Sequence, residues 1–291
     1  MYTKVYKISA IVVLYNPRLF DLEVNLKALI DQVDHLIIID NSEHTNYSFI
    51  KNILLLNQSK VYYHFNNSNL GIAAAQNIGI NISNNFNSDF VLLMDQDSKP
   101  NNDMVSILLR DILLLKKTNI NIAAIGPLAI NSQNQLPYKP RIRTYRYFKN
   151  IPGLLNINEL ISSGMFIDFK VLSHVGYLDE NLFIDGVDHE WCWRAKRSGY
   201  FLGLTENTSL LHSLGEGDKF IFGIRVAISS PFRIYYQYRN FIYLFKKKHV
   251  PIYWKFINFI KYTIKYIYYP VFVSRKYFLR INSGIFDGFK L

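Results

Sequence analysis

The sequence predicts an α/β fold in which a mostly parallel sheet is flanked by helices. Largely apolar segments such as 8–14 and 90–94 are typical of strands that are buried on both faces, as in a parallel sheet. Helical patterns alternate with these segments, and this alternation implies parallel strands joined by right-handed crossovers. Each apolar segment in the first half of the chain also ends in polar residues, which indicates a binding site along one edge of the sheet.

The predicted elements follow one another along the chain as far as residue 199. Strands are expected at 8–14, 36–39, 60–65, 90–94, 122–126 and 162–167. Helices are expected at 19–33, 47–56, 72–82, 101–117 and 170–175, followed by one that ends at Gly199. Residues 133–160 are polar and basic, and they are expected to form a loop over the site.

Two carboxylates, Asp95 and Asp97, directly follow the apolar segment 90–94. Side chains alternate along a strand, so both carboxylates are expected to point the same way at its carboxyl end. Open α/β sheets bind their ligands at that edge. Like charges repel unless a cation lies between them, and a divalent cation that also bridges a diphosphate would fit there. The alternative is a solvated turn.

Polar residues after two other strands are further candidates. Asp40 ends the strand 36–39, where a carboxylate can accept hydrogen bonds from a ribose or a base edge; the alternative is a helix cap or turn. Asn69, Gly71 and Asn77 lie beside a helix start that is rich in small residues. Small residues let a backbone or a diphosphate approach closely. Close packing of the helix on the sheet would also explain the small residues there.

A second acidic segment contains Asp185, Asp188 and Glu190 beside two tryptophans. Carboxylates near indole rings in a partly dry pocket can have raised pKa values, which suits a general base. The alternative is a helix N-terminus, where the dipole stabilises acids. His212 follows a strand and precedes a Gly-containing loop, where it could complete a metal shell or contact a phosphate; its alternative is a structural role.

Charge is distributed unevenly along the 291 residues. Residues 225–291 contain 13 Lys and Arg and one acid, Asp287, for a net charge of +12, whereas residues 1–224 carry −1. The same segment contains 20 of the 45 aromatic residues. The chain therefore divides into a near-neutral body, residues 1–224, and a basic aromatic tail, residues 225–291. The near-neutral body argues against nucleic-acid binding.

Composition also bears on the cellular compartment. The single cysteine, Cys192, excludes an intramolecular disulfide and favours a reducing compartment. A strand is expected from residue 8, so no signal peptide is expected before it. No membrane-spanning helix is expected either. Together these observations predict a cytoplasmic protein.

The tail is predicted to contain a helix over 250–269. Its basic and amide side chains fall within an arc of about 140° on a helical wheel. These residues are Lys248, Lys255, Asn258, Lys261 and Lys265. A basic stripe with aromatic flanks is typical of an interfacial helix on anionic lipid. The alternative is a helix packed on the body with its lysines outward.

The order of these features resembles that of family 2 glycosyltransferases with the GT-A fold, and in particular bacterial rhamnosyltransferases of cell-surface polysaccharide assembly. The resemblance covers residues 8–245. It rests on segments 12–17, 39–42, 69–71, 77–79, 95–98 and 183–194, of which the last two are the most specific. Tyr235-Tyr236 with Arg239-Asn240 also resembles this subgroup.

The resemblance implies roles for the matching residues. The nucleotide-sugar donor would be bound by Asp40, which holds the nucleoside, and by Asn69, Gly71, Asn77, Asp95 and Gln96. The metal ion, Mg²⁺ or Mn²⁺ on the donor diphosphate, would be bound by Asp95, Asp97 and His212.

The resemblance also implies a general base and an acceptor side. The family's base is the Asp of a Glu-Asp pair that precedes a Cys-x-Arg, which corresponds to Asp188. Because Val187 replaces the Glu of that pair, Asp185 is retained as a second candidate. The acceptor side would be formed by Trp191, Glu190 and Arg194.

The implied reaction is a direct displacement with inversion at the anomeric carbon. The donor would be dTDP-rhamnose or a UDP-sugar. The acceptor would be a lipid-linked or other saccharide in O-antigen or capsule-type assembly. Such an enzyme is expected to be peripheral on the inner face of the bacterial cell membrane, in contact with anionic lipid through its tail.

Two other classes of protein share part of this pattern. A nucleotidyltransferase that acts on sugar phosphates also pairs aspartates on a nucleotide fold, but it normally needs a Gly-rich basic loop after the first strand. Residues 15–18 offer no such loop. The second class is a non-enzymatic protein that binds a membrane surface through its tail.

Overall fold

The computed structural model describes residues 4–132, 134–137, 146–149, 151–212, 218–221, 224–227 and 229–291. A large mixed sheet is flanked by helices, and three further helices follow it in the tail. Its first half is parallel, as predicted, but five of the nine strand pairings, all beyond β4, are antiparallel. This architecture confirms the predicted α/β fold with a helical C-terminus.

Twelve strands occur in the described residues. They are β1 (Ile8–Leu14), β2 (His35–Asp40), β3 (Val61–Phe65), β4 (Phe90–Asp95), β5 (Ser98–Pro100), β6 (Ile122–Asn131), β7 (Arg146–Tyr147), β8 (Leu154–Ile157), β9 (Met165–Asp168), β10 (Phe201–His212), β11 (Asp218–Ile221) and β12 (Ile224–Ala227). Ten of them form one sheet in the order β3-β2-β1-β4-β9-β6-β10-β8-β7, with β5 paired to β10. The other two, β11 and β12, pair with each other.

Nine α-helices occur in the same parts of the chain. They are α1 (Leu19–Ile30), α2 (Tyr47–Leu56), α3 (Ile72–Asn85), α4 (Met104–Lys117), α5 (Phe169–Val175), α6 (Val187–Arg197), α7 (Pro231–Lys246), α8 (Ile252–Tyr268) and α9 (Lys276–Lys290). A 3₁₀ turn at Glu180–Leu182 precedes α6, and a π-helical turn at Tyr269–Val273 follows α8.

The first four strands of the chain form the parallel half of the sheet. Ile11 and Val13 of β1 pack into one apolar cluster, whereas Val12 packs into another on the opposite face. Burial on both faces explains why the sequence of this strand is nearly all apolar. Parallel pairing also aligns the carboxyl ends of the strands, so that Asp40 and Asp95 both lie at one edge.

The second half of the sheet completes that edge. β9 runs antiparallel between β4 and β6, and β10 runs parallel to β6. The short strand β5 pairs antiparallel with the end of β10, with Ser98 opposite His212. The end of β10 therefore lies next to the end of β4, although the two strands are far apart in the sequence.

The predicted loop over residues 133–160 is partly wrong. Leu154–Ile157 form β8, which pairs antiparallel with β10, and Arg146–Tyr147 add a short exposed strand. Residues 133, 138–145 and 150 of this segment lie outside the described residues. A strand of four residues is too short to show a clear period, so the sequence pattern did not distinguish it from a loop.

The tail packs closely on itself and on the body. Tyr243 and Leu244 of α7 belong to the main apolar cluster of the body. α9 lies against α7 so closely that a Cβ added at Gly284 would come within 2.4 Å of the carbonyl oxygen of Tyr235. Glycine at this position is therefore required for the two helices to approach.

None of the helices in the described residues is both long and apolar enough to cross a membrane.

The predicted tail helix is present as α8, which turns an apolar side away from the body. The exposed apolar side chains of α8 include Ile252, Phe256, Ile257, Phe259, Ile260, Ile264 and Ile267. Lys255 and Lys265 are half-buried, and they donate to the carbonyl of Lys247 and to Gln237 of α7. The alternative for this helix was that it packs on the body with its lysines facing solvent. Lys255 and Lys265 do not fit that alternative, because they bond to neighbouring residues.

Candidate active site

Three strand ends bring two carboxylates and an imidazole together. Asp95 is the last residue of β4, Asp97 lies between β4 and β5, and His212 is the last residue of β10. Their potential ligand atoms all lie within 4.8 Å of one another. The three residues therefore form one cluster at the carboxyl edge of the sheet.

A chain of buried hydroxyl groups orients His212. The Oγ of Ser98 lies 2.8 Å from Nδ1 of His212, and the Ser163 hydroxyl donates to the Oγ of Ser98 at 2.6 Å. Both serines are buried. In the tautomer in which Nδ1–H donates to the Oγ of Ser98, the other ring nitrogen, Nε2, has the lone pair that would coordinate a metal.

The electrostatics of the cluster favour a bound cation. Burial, together with the negative charges of Asp97 and Asp188, raises the pKa of Asp95 to about 7. Burial also lowers the pKa of His212, against the opposing effect of Asp97. His212 is therefore neutral at pH 7 and has an electron pair for a metal. A divalent cation would relieve the repulsion among the three carboxylates.

The donor set fits a divalent cation of the Mg²⁺ or Mn²⁺ type. Two carboxylates and one imidazole would supply oxygen and nitrogen ligands. Asp97 is exposed, so water or phosphate oxygens could reach the cluster. Asp95, Asp97 and His212 thus form a possible metal site.

The first turn of α6 brings Asp188 to the cluster. One carboxylate oxygen of Asp188 accepts from the backbone N–H of Ser162 at 3.2 Å, and the other accepts from its neighbour His189 at 2.8 Å. Asp185 has different surroundings, because Arg233 binds both of its carboxylate oxygens, with a shortest distance of 2.6 Å. Of the two, Asp188 is the carboxylate whose charge reaches Asp95.

The loop that precedes α6 is fixed from three sides. Gly71 has a φ of +84°, and a Cβ added there would come within 2.6 Å of the Phe183 ring, so this contact requires glycine. Asn77 of α3 exchanges two hydrogen bonds with the loop backbone. Asn240 of α7 donates to three of the loop's carbonyls. The positions of Asp185 and Asp188 therefore depend on both the body and the tail.

Comparison with known proteins identifies the family. The sequence profile of glycosyl transferase family 2 matches residues 9–176, which is more than half of the chain. The chain belongs to glycosyl transferase family 2. It is therefore a glycosyltransferase, and the two other classes considered from the sequence, a nucleotidyltransferase and a non-enzymatic binding protein, are not supported.

Two related proteins are similar to this chain over most of its length. The chain is 32% identical over 251 residues to the dTDP-rhamnosyl transferase RfbF of Shigella flexneri, covering 84% of this chain and 82% of that protein. It is 22% identical over 227 residues to the low-salt glycan biosynthesis hexosyltransferase Agl10 of Haloferax volcanii, covering 74% and 68%.

Solved structures with the same fold are more distant in sequence. The structure of GalNAc-T7 with UDP, GalNAc and Mn²⁺ matches with a TM-score of 0.63 and 14% identity over 83% of this chain, although the chain spans only 48% of that protein. S. aureus TarS 1-349 in complex with UDP-GlcNAc matches with a TM-score of 0.62 and 13% identity, covering 98% of this chain and 81% of that one. These neighbours confirm the predicted GT-A fold.

Asp40, predicted to hold the nucleoside, is completely buried in the glycosyltransferase. Its carboxylate accepts hydrogen bonds from the Tyr63 hydroxyl at 2.5 Å and from the backbone N–H of Asn46 at 2.7 Å and of Ser42 at 3.1 Å. Burial alone would raise the pKa of Asp40, but the hydrogen bonds outweigh it and hold the pKa below its usual value. These contacts brace the turn after β2.

The other residues predicted at the donor also brace loops around the cluster. Gln96 exchanges two hydrogen bonds with the backbone of Tyr15 at the end of β1. Asn69 accepts from the side chain of Asn41 and from the backbone N–H of Gly71. These contacts join the ends of β1, β2 and β4 to the start of α3, and they define the shape of the edge.

The three residues predicted on the acceptor side, Trp191, Glu190 and Arg194, lie outside the cluster of Asp95, Asp97 and His212. Trp191 is completely buried, and its indole N–H donates to the carbonyl of Gly176 at 3.0 Å. Glu190 is buried and pairs with Arg194 at 2.8 Å and with His249 at 2.9 Å. Burial would raise the pKa of Glu190, but the hydrogen bonds from His249 and Arg194 outweigh it and lower the pKa. These contacts hold α6 in place and do not line the cluster.

Two residues at the site were missed from the sequence. Arg233 binds Asp185 from the start of α7, and the only local signal was its place beside the Tyr235-Tyr236 motif. Ser162 donates its backbone N–H to Asp188, and its hydroxyl accepts from Gln76 at 2.6 Å. Nothing in the local sequence distinguishes this serine from an ordinary turn residue.

Replacing Asp95 should reveal the electrostatic strain of the metal-free cluster. Since folding raises the pKa of Asp95 from 3.8 to about 7, the native state binds more protons than the unfolded state between these pH values. The free energy of unfolding therefore falls as pH rises through 7. Asp95→Asn removes the charge and should therefore raise the Tm of the protein in EDTA at pH 8 by a few degrees, since each kcal/mol of added unfolding free energy raises the Tm by about 2–4 °C. The rise should be smaller at pH 5, where Asp95 is already protonated in the folded protein.

The same melting curves test the cation site. Mn²⁺ should raise the Tm of the wild type at pH 8 but not that of Asp95→Asn, because the variant lacks one ligand. Asp103→Asn is the matched control, since Asp103 is exposed and its side chain caps no helix; it should behave as the wild type. Equal Mn²⁺ shifts in Asp95→Asn and the wild type would contradict a metal site at Asp95.

Proposed function

We propose that the protein transfers L-rhamnose from dTDP-rhamnose to a saccharide acceptor, with inversion at the anomeric carbon. The observation that carries the proposal is the cluster of Asp95, Asp97 and His212 with the carboxylate of Asp188 facing it. The sugar is proposed from the similarity to RfbF, a dTDP-rhamnosyl transferase that is 32% identical over most of both chains.

The donor diphosphate would lie at the carboxyl edge of the sheet. Asp95, Asp97 and His212 would hold Mg²⁺ or Mn²⁺ there, and the bound ion would offset the negative charge that grows on the departing diphosphate. The nucleoside would lie along the ends of β1 and β2. The role of Asp40 in this arrangement is indirect, because it fixes the turn that borders the nucleoside.

Asp188 is proposed as the general base. It would accept the proton of the acceptor hydroxyl while that oxygen forms a bond to the anomeric carbon and the bond from this carbon to the diphosphate breaks. The backbone N–H of Ser162 positions its carboxylate. Asp185 is less suited to this role, because Arg233 already binds both of its oxygens. One displacement with one base needs no covalent intermediate, and it inverts the configuration.

The tail is proposed to place the enzyme on the inner face of the cell membrane, where a lipid-linked acceptor would be found. The exposed apolar side of α8 has no partner within the described chain, and α9 adds Phe278, Leu279, Phe286 and Phe289. The tail also carries a net charge of +12. Apolar side chains next to positive charge suit the interface of an anionic bilayer.

A donor panel tests the reaction. Purified protein with Mg²⁺ or Mn²⁺ should release nucleotide from dTDP-rhamnose faster than from UDP-glucose, UDP-GlcNAc or GDP-mannose, and EDTA should abolish the release. Asp97→Asn should lose activity to about the same extent as EDTA treatment while keeping the wild-type circular dichroism spectrum. Release from another donor but not from dTDP-rhamnose would refute the proposed sugar while leaving the family assignment intact.

Paired substitutions separate the two candidate bases. Asp188→Asn should lower kcat by about 10²–10⁴-fold, the usual contribution of a general base, with little change in donor affinity. Asp185→Asn should lower kcat less, because it breaks a pair with Arg233 that only supports the loop. Steady-state kinetics measure both effects, and a larger loss in Asp185→Asn than in Asp188→Asn would reverse the assignment.

Vesicle flotation tests the membrane contact. The protein should float with vesicles of phosphatidylcholine and phosphatidylglycerol, and less well with phosphatidylcholine alone or at high salt. Phe256→Asp and Ile260→Asp should weaken flotation, whereas Leu56→Asp, which replaces an even more exposed apolar side chain on α2, should not. Flotation of the α8 variants at the wild-type level would argue against contact through this helix.

A further inference from the structure

A cavity of about 470 Å³ lies between α6, α7 and α8. Its volume is within the range of pockets that hold small ligands. Asp185, Gly186 and His189, which line it, lie around the start of α6, the helix whose first turn also carries the proposed base Asp188. Its far wall is α8, the helix that exposes apolar side chains. The cavity therefore lies between the start of α6 and the helix of the proposed membrane surface.

The charges that line the cavity balance one another. Glu159 and Asp185 are opposed by Arg233 and Lys261. Asp185 and Arg233 are paired with each other, and Glu159 accepts a hydrogen bond from the Tyr253 hydroxyl at 3.1 Å. A lining without net charge does not favour a phosphate or a nucleotide. It favours a neutral ligand that is rich in hydrogen-bonding groups.

Aromatic surfaces and unpaired polar atoms lie side by side in this lining. Trp254 and Tyr262 of α8 contribute ring surface. The ring nitrogens of His189 and the Oδ1 of Asn258 make no hydrogen bond within the described part of the chain, although the Asn258 Nδ2 donates to the Trp254 carbonyl. A pyranose ring presents apolar C–H groups beside hydroxyl groups, and such a pocket satisfies both.

We infer that this cavity binds the saccharide portion of the acceptor, and that it holds the sugar units next to the one that is glycosylated. This inference rests on the proposed transfer to a saccharide acceptor. A lipid carried in the bilayer against α8 would present its saccharide to the cavity from the membrane side. The reacting hydroxyl would then reach Asp188 past the first turn of α6.

Filling the cavity tests the inference. Asn258→Trp places an indole in the cavity, whereas Asn85→Trp makes the same replacement at an exposed asparagine that ends α3, away from the cavity and from α8. Transfer of rhamnose from dTDP-rhamnose is measured with membranes of the native host as the source of acceptor. Asn258→Trp should raise the apparent KM for the acceptor at least about tenfold, as expected when contacts in a pocket are lost. Asn85→Trp should stay within about twofold.

Vesicle flotation and thermal melting show whether Asn258→Trp also alters membrane contact or folding. Asn258→Trp should float with anionic vesicles and melt as Asn85→Trp does, because Asn258 lines the cavity and is not among the exposed apolar side chains of α8. An unchanged acceptor KM in Asn258→Trp, or a KM change that is matched by lost flotation, would overturn the inference.

A donor-independent measurement separates this inference from the proposed function. Octyl α-L-rhamnopyranoside and octyl β-D-glucopyranoside, below their micellar concentrations, are titrated into the wild type and Asn258→Trp by calorimetry, with 1-octanol as the control for the alkyl chain. At least one glycoside should bind the wild type more tightly than octanol and should bind Asn258→Trp more weakly. If neither glycoside binds better than octanol, the cavity is not a saccharide site, whatever the donor panel shows. If no donor is turned over, the proposed function fails, and this titration still decides the cavity.

Discussion

Repulsion among carboxylates at the carboxyl edge of the sheet is the constraint on which the site depends. Asp95, Asp97 and Asp188 come from a strand end, the following turn and a helix start. Burial, together with the charges of Asp97 and Asp188, raises the pKa of Asp95 to about 7. Such an arrangement is costly in the metal-free protein and favourable around a divalent cation. His212 adds a neutral ligand to the same space.

The surrounding structure holds these charges together instead of letting them separate. Parallel pairing fixes Asp95 at the sheet edge, and the pairing of β5 with β10 fixes His212. Asp188 depends on a loop that Gly71 and Asn77 hold from the body and Asn240 holds from the tail. Gly71 and Asn77, which the sequence pattern associates with the donor, therefore shape the carboxyl edge of the sheet.

The tail has two faces with different consequences. Its inner face joins the body, since α7 supplies Asn240 to the loop that precedes α6 and Arg233 to Asp185. Its outer face exposes the apolar side of α8. A membrane contact on the outer face would therefore be coupled through a single pair of helices to the loop that positions Asp188, and the cavity between α6 and α8 lies along that connection.

The sequence by itself determined the fold class, the sheet edge and the pairing of Asp95 with Asp97, because strands buried on both faces and the alternation of side chains are local signals. For His212 the sequence position left a metal shell, a phosphate contact and a structural role open, and the family resemblance favoured the metal site. The ion pair of Asp185 with Arg233, the burial of Trp191 and the direction in which α8 turns its apolar side were decided by the tertiary structure. The ion pair joins residues 48 positions apart, and both the burial of a side chain and the exposed side of a helix depend on which other elements pack against it. No local period in a sequence encodes such contacts, because they arise only when distant segments meet.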